Sequence, residues 1–180
     1  GPTSKRALDG MSGASILISN KLFTKNFLMV CFSTLSFFGS FYFLLPTLPT
    51  YVMSLGAKES EVGLVMGVFT ITAVLLRPFV GRAVDQRGSK FFMLAGATVF
   101  LTASLLYNFA VAIPLLMLLR VFHGSGIACF TTASSTLVAD ITPPQRRGEA
   151  MGYFGMFNNL AMAAGPALGV FIVQASSYNV

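Results

Sequence analysis

Charge is what this sequence has least of. Lysine and arginine together number 12 and aspartate and glutamate 6 in 180 residues, a tenth of the chain, where a soluble domain carries about 25%. So few charges cannot cover a water-facing surface, which excludes an ordinary soluble domain. Histidine is nearly missing too, with His123 the single copy. One imidazole leaves no Ser/His/Asp or Cys/His set and no His/Glu cluster. No catalytic constellation and no metal site is visible, and no cofactor is implied. The two cysteines, Cys31 and Cys129, lie inside apolar runs without ligand spacing or a disulfide framework, and read as small buried or lipid-facing hydrophobes. Tryptophan is absent, which leaves Tyr42, Tyr51, Tyr107 and Tyr178 to fill part of an interfacial belt. No segment has the alternation that a β-barrel strand requires.

What is present is apolar: 54% of the residues are hydrophobic. Gly1 to about Gly10 reads as the remnant of a protease-cleaved tag, with Met11 as the native start. Residues 11–26 form a polar, basic leading segment with Lys21 and Lys25. A bilayer core of roughly 30 Å takes about 20 helical residues. The predicted spans are 27–52, 62–84, 91–109, 113–139 and 151–173, joined by short connections. Pro46 and Pro49 either bend the first span or end it. Gly63-x-x-x-Gly67 in the second is a close-packing pattern. One side of the predicted membrane holds Lys21, Lys25, Arg82, Arg87, Lys90, Arg146 and Arg147, and the other only Lys58. This asymmetry puts the N-terminus and the two basic loops in the cytoplasm. The basic residues sit in short loops and not on one stripe, so they argue topology and not nucleic-acid binding.

Arg120 stands several residues inside the fourth run. Insertion scales charge about 2.5–3.5 kcal/mol for arginine at a helix centre. It either snorkels to the outer interface or faces the bundle interior as a substrate- or proton-coupling charge, with His123 one turn away on the same face. His123 itself is either a hydrogen-bonded packing residue or part of that site. Gly124 and Gly126 thin the fourth helix, and Gly165, Pro166 and Gly169 do so in the fifth, for packing or bending. Phe37, Phe38, Phe41 and Tyr42 line an apolar cavity or face lipid. No carboxylate sits mid-span.

Three patterns occur in order on consecutive parts of the chain. Gly81, Asp85, Gly88 and Lys90 match a loop motif G-x-x-x-D-R-x-G-R-(R/K) between the second and third helices. Gln86 and Ser89 replace two of its basic residues, and Arg87 supplies a charge one position away. Arg120, Gly124 and Gly126 match R-x-x-x-G-x-G on the fourth helix. Gly165, Pro166 and Gly169 match G-x-x-x-G-P-x-x-G-G on the fifth, with Ala161 and Val170 departing from it. From Phe27 onward the sequence resembles the major facilitator superfamily of secondary transporters, most closely its bacterial drug:proton antiporter branch.

The resemblance implies an all-α membrane protein: five transmembrane helices of an N-terminal six-helix half, incomplete over residues 27–180. Its partner is the C-terminal half, on the same or another chain. It implies a multi-pass protein of the cell (inner) membrane that handles a small molecule and protons. The expected activity is proton-coupled export by alternating access, with an uptake symporter for a sugar or organic anion as the alternative and a non-transporting membrane binding protein as the rival from another class. It also implies a gate in which Asp85 meets a helix N-terminus of the second half and Arg87 or Lys90 pairs with Asp140. A membrane enzyme is disfavoured by the missing catalytic set.

Overall fold

The structure is a computed structural model that describes residues 22–110 and 112–177, with side chains undescribed at 44, 47 and 172–177. Tyr178 and Lys21 lie outside the described residues. Among those residues every regular element is a helix. α1 is Lys25–Leu44, α2 Thr47–Ser54, α3 Glu59–Arg87, α4 Ser89–Leu106, α5 Ile113–Ile141 and α6 Arg147–Ser177. Short 3-10 turns, Tyr107–Phe109 and Pro144–Arg146, precede α5 and α6. Four helical stretches are long and apolar enough to cross a bilayer: Lys25–Ser54, Glu59–Arg87, Ser89–Phe109 and Ile113–Ile141. α6 has 31 residues, about 46 Å at 1.5 Å per residue.

Local chemistry fixes the ends. Thr24 caps α1 by accepting from the Phe27 amide at 3.2 Å. Glu61 accepts from the Lys58 amide at 2.8 Å at the start of α3. Its first turn also carries Glu59 and its last turn Arg87, each suited to the helix dipole at its end. Pro114 opens α5, where a missing amide proton is harmless. Pro46 breaks the first span without ending it: two residues separate α1 from α2, and both stay in the right-handed helical region. The proline withholds one backbone hydrogen bond, which makes this break the weak point where the span can bend.

α5 is the hub. It packs along α3 and α4, while α1 packs on α6. At one end of the bundle Leu48, Val52, Val65, Tyr107 and Leu116 form one core. At the other end Phe27, Val30, Cys31, Val138 and Ala150 form a second. Residues near 50, 65 and 110 thus share one end and those near 27 and 145 the other, as successive antiparallel spans require. The aromatic face of α1 is neither a cavity lining alone nor a lipid face. Phe37 stacks on Phe130 with centroids 3.8 Å apart and planes 1° apart, and Phe41 stacks on Phe69 at 5.3 Å. Tyr107 is buried in the core and not in an interfacial belt. The outward faces carry Leu75, Phe79, Leu94 and Leu101, each 61–71% exposed. Such a surface is matched by hydrocarbon and not by water.

Candidate functional site

Two regions hold the chemistry that the sequence singled out. The first is the junction of α3 and α4. The expected loop from Gly81 to Lys90 is one residue long, because α3 runs to Arg87 and α4 begins at Ser89. The motif residues Gly81, Asp85 and Arg87 are therefore helical. Gly88 makes the turn alone at φ +91°, a left-handed value that a side chain would strain, and its amide closes α3 on the Val84 carbonyl at 2.8 Å. Gly81 is less constrained: a Cβ there would meet only Thr132 Cγ2, at 4.0 Å.

Asp140, in the last turn of α5, comes to this junction. Its Oδ2 accepts a hydrogen bond from Ser89 Oγ at 3.3 Å. Among the described residues neither Arg87 nor Lys90 forms an ion pair with Asp140; both basic side chains are exposed. The contact that the resemblance assigned to a basic residue is made by the serine that departs from the motif. Nearby, Arg147 Nε donates to the Ala139 carbonyl at 2.9 Å. Arg146 donates from Nε and Nη2 to Glu149, both at 2.8 Å. That pairing holds the Glu149 carboxyl below its ordinary range, mainly through the hydrogen bond from Arg146.

The second region lies inside the bundle. Arg120 is 2% exposed and His123 fully buried, so Arg120 does not snorkel. The two share a face of α5, one turn apart. Arg120 Nη2 donates to Met66 Sδ at 2.7 Å, and its guanidinium carbon lies 4.9 Å from the Phe69 ring centroid. A thioether is a weak acceptor and a ring face a diffuse one. Among the described residues no carboxylate pairs with Arg120, and its Nε has no hydrogen-bond partner. His123 Nδ1 and Tyr107 Oη share a hydrogen bond of 3.1 Å, while Nε2 has no partner. Rings of Phe69, Phe100 and Tyr107 surround the imidazole at 4.2–5.6 Å. A void too narrow for a water molecule is lined by Arg120, His123, Phe41, Leu45 and Leu48. Leu45 and Leu48 flank the bend between α1 and α2.

The glycines sort themselves by what a Cβ would meet. At Gly96 it would stand 2.5 Å from the Phe130 amide nitrogen, at Gly124 2.7 Å from the Phe69 carbonyl, and at Gly126 3.0 Å from the Gly96 carbonyl. At Gly165 it would stand 2.7 Å from Tyr42 Cβ, and at Gly169 3.0 Å from the Phe43 carbonyl. The first three let α3 and α4 touch α5 backbone to backbone, and the last two seat α6 on α1. Pro166 stays within the helix of α6. Gly63 and Gly67 have nothing within 4 Å, so their spacing marks no contact here.

Sequence reasoning missed a groove of about 660 Å³ between α1, α4 and α5, lined by Ser33, Ser36, Ser40 and Ser104 among apolar side chains, with Asn26 and Lys90 also on its wall. The serine spacing along α1 at i, i+3 and i+7 was its signal. Ser33, Ser40 and Ser104 each donate back to their own helix, which leaves Asn26, Ser36 and Lys90 as the groove's more polar wall.

The comparisons agree with this architecture. The family model described as Major Facilitator Superfamily matches residues 30–180. An uncharacterised MFS-type transporter of Methanocaldococcus jannaschii is 30% identical over 145 residues, 81% of this chain and 38% of the relative. The quinolone resistance protein NorA of Staphylococcus aureus strain Mu50 is 26% identical over 152 residues, 84% of this chain and 39% of the relative. The chain thus spans about two fifths of the length of these curated relatives. Helical spans, buried interior arginine, glycine-seamed packing and the match over residues 30–180 agree: the chain belongs to the Major Facilitator Superfamily.

Proposed function

We propose that this chain is the N-terminal part of a secondary active transporter that works by alternating access and exports a small organic molecule against entering protons. One observation carries the reading furthest. A guanidinium sits inside an apolar bundle with a thioether, the rings of Phe69 and Tyr107 and, among the described residues, no carboxylate as its company. A buried cation left this way is unfavourable by several kcal/mol, and a purely structural role offers nothing in return. An arginine that meets an anionic or proton-bearing group during a transport cycle does. Membership of a transporter family and similarity to a protein named for quinolone resistance support export of a small molecule.

In this reading the end with Arg82, Arg87, Lys90, Arg146 and Arg147 faces the cytoplasm, as their excess over the opposite end argues. The chain sits in the cell membrane beside a second half of the same transporter. Asp85, Gly88 and the Ser89–Asp140 contact bias the closed state at that end, with Arg87 and Lys90 exposed and available to a second half. A transmembrane potential of 100 mV is worth about 2.3 kcal/mol per charge, enough for proton entry to drive export.

Arg120 also suits a second reading, uptake of an organic anion together with protons, because its unpaired edge favours an anion. Reconstitution in liposomes with a pH-sensitive dye inside separates these. Export gives substrate movement opposite to proton movement, and uptake gives both in the same direction. Binding with no substrate-dependent proton flux would refute both in favour of a non-transporting binding protein.

A further inference from the structure

The interior pair offers more than a lone charge. Tyr107 Oη and His123 Nδ1 are 3.1 Å apart, and either can donate. If the imidazole donated from Nδ1, both the tyrosine proton and Nε2 would be left over in a buried, aromatic cage. If the hydroxyl donates to Nδ1, only Nε2 is left over. Buried polar groups are rarely left unmatched, so the second arrangement is favoured. It puts the ring proton on Nε2. Nε2 then becomes an orphan donor on a fully buried side chain, one helical turn from a second orphan donor, Arg120 Nε. Both side chains line the same void, whose other walls are Phe41, Leu45 and Leu48.

Two N–H donors on one wall, one of them cationic, with apolar side chains opposite, call for an acceptor that carries a single negative charge. A carboxylate has that charge and two oxygens, and its planar form fits the edge of a guanidinium. A neutral amide oxygen would leave the arginine charge uncompensated. We propose that Arg120 and His123 together form a carboxylate-binding subsite, with Tyr107 as the positioning residue that fixes the imidazole tautomer. This rests on the reading that the Arg120 face lies on the transport path. The void is closed in this conformation, and its apolar wall is the bend at Leu45–Pro46. A shift of α2 at that bend moves Leu48 away from the pair and admits the headgroup. The groups facing His123 are Tyr107 from the turn before α5, Arg120 from α5, and the uncharged rings of Phe41, Phe69 and Phe100 from α1, α3 and α4.

His123 is the single histidine of these 180 residues, and in the ¹⁵N-histidine-labelled full-length polypeptide its imidazole signal is the one that disappears in His123→Gln. The protein is prepared in lipid nanodiscs at pH 7 with a histidine-free tag, and titrated with sodium benzoate or with benzamide. Free protein should show a protonated Nε2 and an unprotonated Nδ1. Benzoate should shift Nε2 saturably, and benzamide should not. Arg120→Gln should weaken benzoate binding at least tenfold. Tyr107→Phe should weaken it about threefold to tenfold and return the ring to mixed tautomers, a change that a merely structural tyrosine would not produce. Equal responses to benzoate and benzamide, a free protein protonated on Nδ1, or undiminished binding by Arg120→Gln would each overturn the proposal. The same spectra identify the source. A shift that appears only with benzoate assigns the subsite to a carboxylic-acid ligand, and a shifted Nε2 before any addition assigns it to a carboxylate of the transporter itself. Neither readout depends on flux, so a failure of the transport reading leaves this test intact.

Discussion

Replacing Gly96 by alanine should destabilise the bundle, although the same change elsewhere in a helix stabilises it. The new Cβ would sit 2.5 Å from the Phe130 amide nitrogen, 2.7 Å from the Gly126 carbonyl and 3.0 Å from Cys129 Cβ. Two of these are backbone atoms of α5 that no rotamer change can move. α4 and α5 must part by roughly 1 Å before the atom reaches ordinary contact distance, and every neighbouring pair along the seam then loses part of its dispersion energy. Overpacking of this kind costs about 1–3 kcal/mol. Against it stands the gain of about 0.8–1.0 kcal/mol for alanine over glycine in a helix interior. The net expectation is a loss of up to about 2 kcal/mol, a factor of up to about thirty in the folded ratio. Gly63→Ala is the matched control, since nothing lies within 4 Å of its Cβ position. It keeps the propensity gain and should be neutral or stabilising. Thermal unfolding of both variants in the same detergent decides the matter. A Gly96→Ala midpoint equal to or above that of Gly63→Ala would refute the reading of the α4–α5 seam.

Asp85→Asn should impair transport by the full-length protein with little loss of membrane insertion, and equal rates at matched protein levels would remove Asp85 from the gate. Ser89→Ala removes the donor to Asp140 but leaves the carboxylate charged; a hydrogen bond of this class is worth roughly 1 kcal/mol net, so transport should fall a few-fold and Ser89→Thr should restore it. The Arg146–Glu149 pair holds the Glu149 carboxyl below its ordinary range, so its contribution is present at neutral pH and is lost as pH falls through that lowered value. Glu149→Gln should therefore flatten the acid limb of the stability curve, below the ordinary range of a glutamate carboxyl. High salt should shrink the difference, because the pair is exposed; an unchanged acid limb would count against it.

The spans were legible in the sequence because a bilayer imposes one requirement on every stretch of the chain, namely enough apolar residues to cross it. Four of the predicted runs correspond to stretches long and apolar enough to cross, in α1 with α2, α3, α4 and α5, and the fifth falls on α6. The ends were less legible. Hydropathy falls at Asp85, Gln86 and Arg87, yet the helix continues through them, because charged side chains at a membrane surface need only water and not a loop. Only Gly88 has backbone geometry that interrupts the helix. Partners were hidden for a different reason. Nothing in the pattern said whether Asp140 would meet Arg87, Lys90 or Ser89, since contact between α4 and α5 depends on helix rotation and not on spacing. The same holds for Gly63 and Gly67 against Gly96: a small residue permits close approach, but only the partner helix decides whether any approach occurs.

Arg120 illustrates how far a rule about burial reaches. The cost of a charge inside a membrane predicts that the side chain should escape to the interface or find a counter-ion. Escape was open to it on distance alone, two turns from the start of α5. Met66, Phe69 and Tyr107 hold it inward instead, through one weak acceptor and two rings. These soft contacts stabilise a cation less than a carboxylate would. They also bind it less tightly, so an anion of the kind proposed above would displace them without breaking a strong ion pair. A resident carboxylate would have made the site more stable and harder to switch. The arrangement that costs stability is the one that leaves the guanidinium free to respond, which is why the lack of a counter-ion among the described residues supports the proposed role more strongly than burial does.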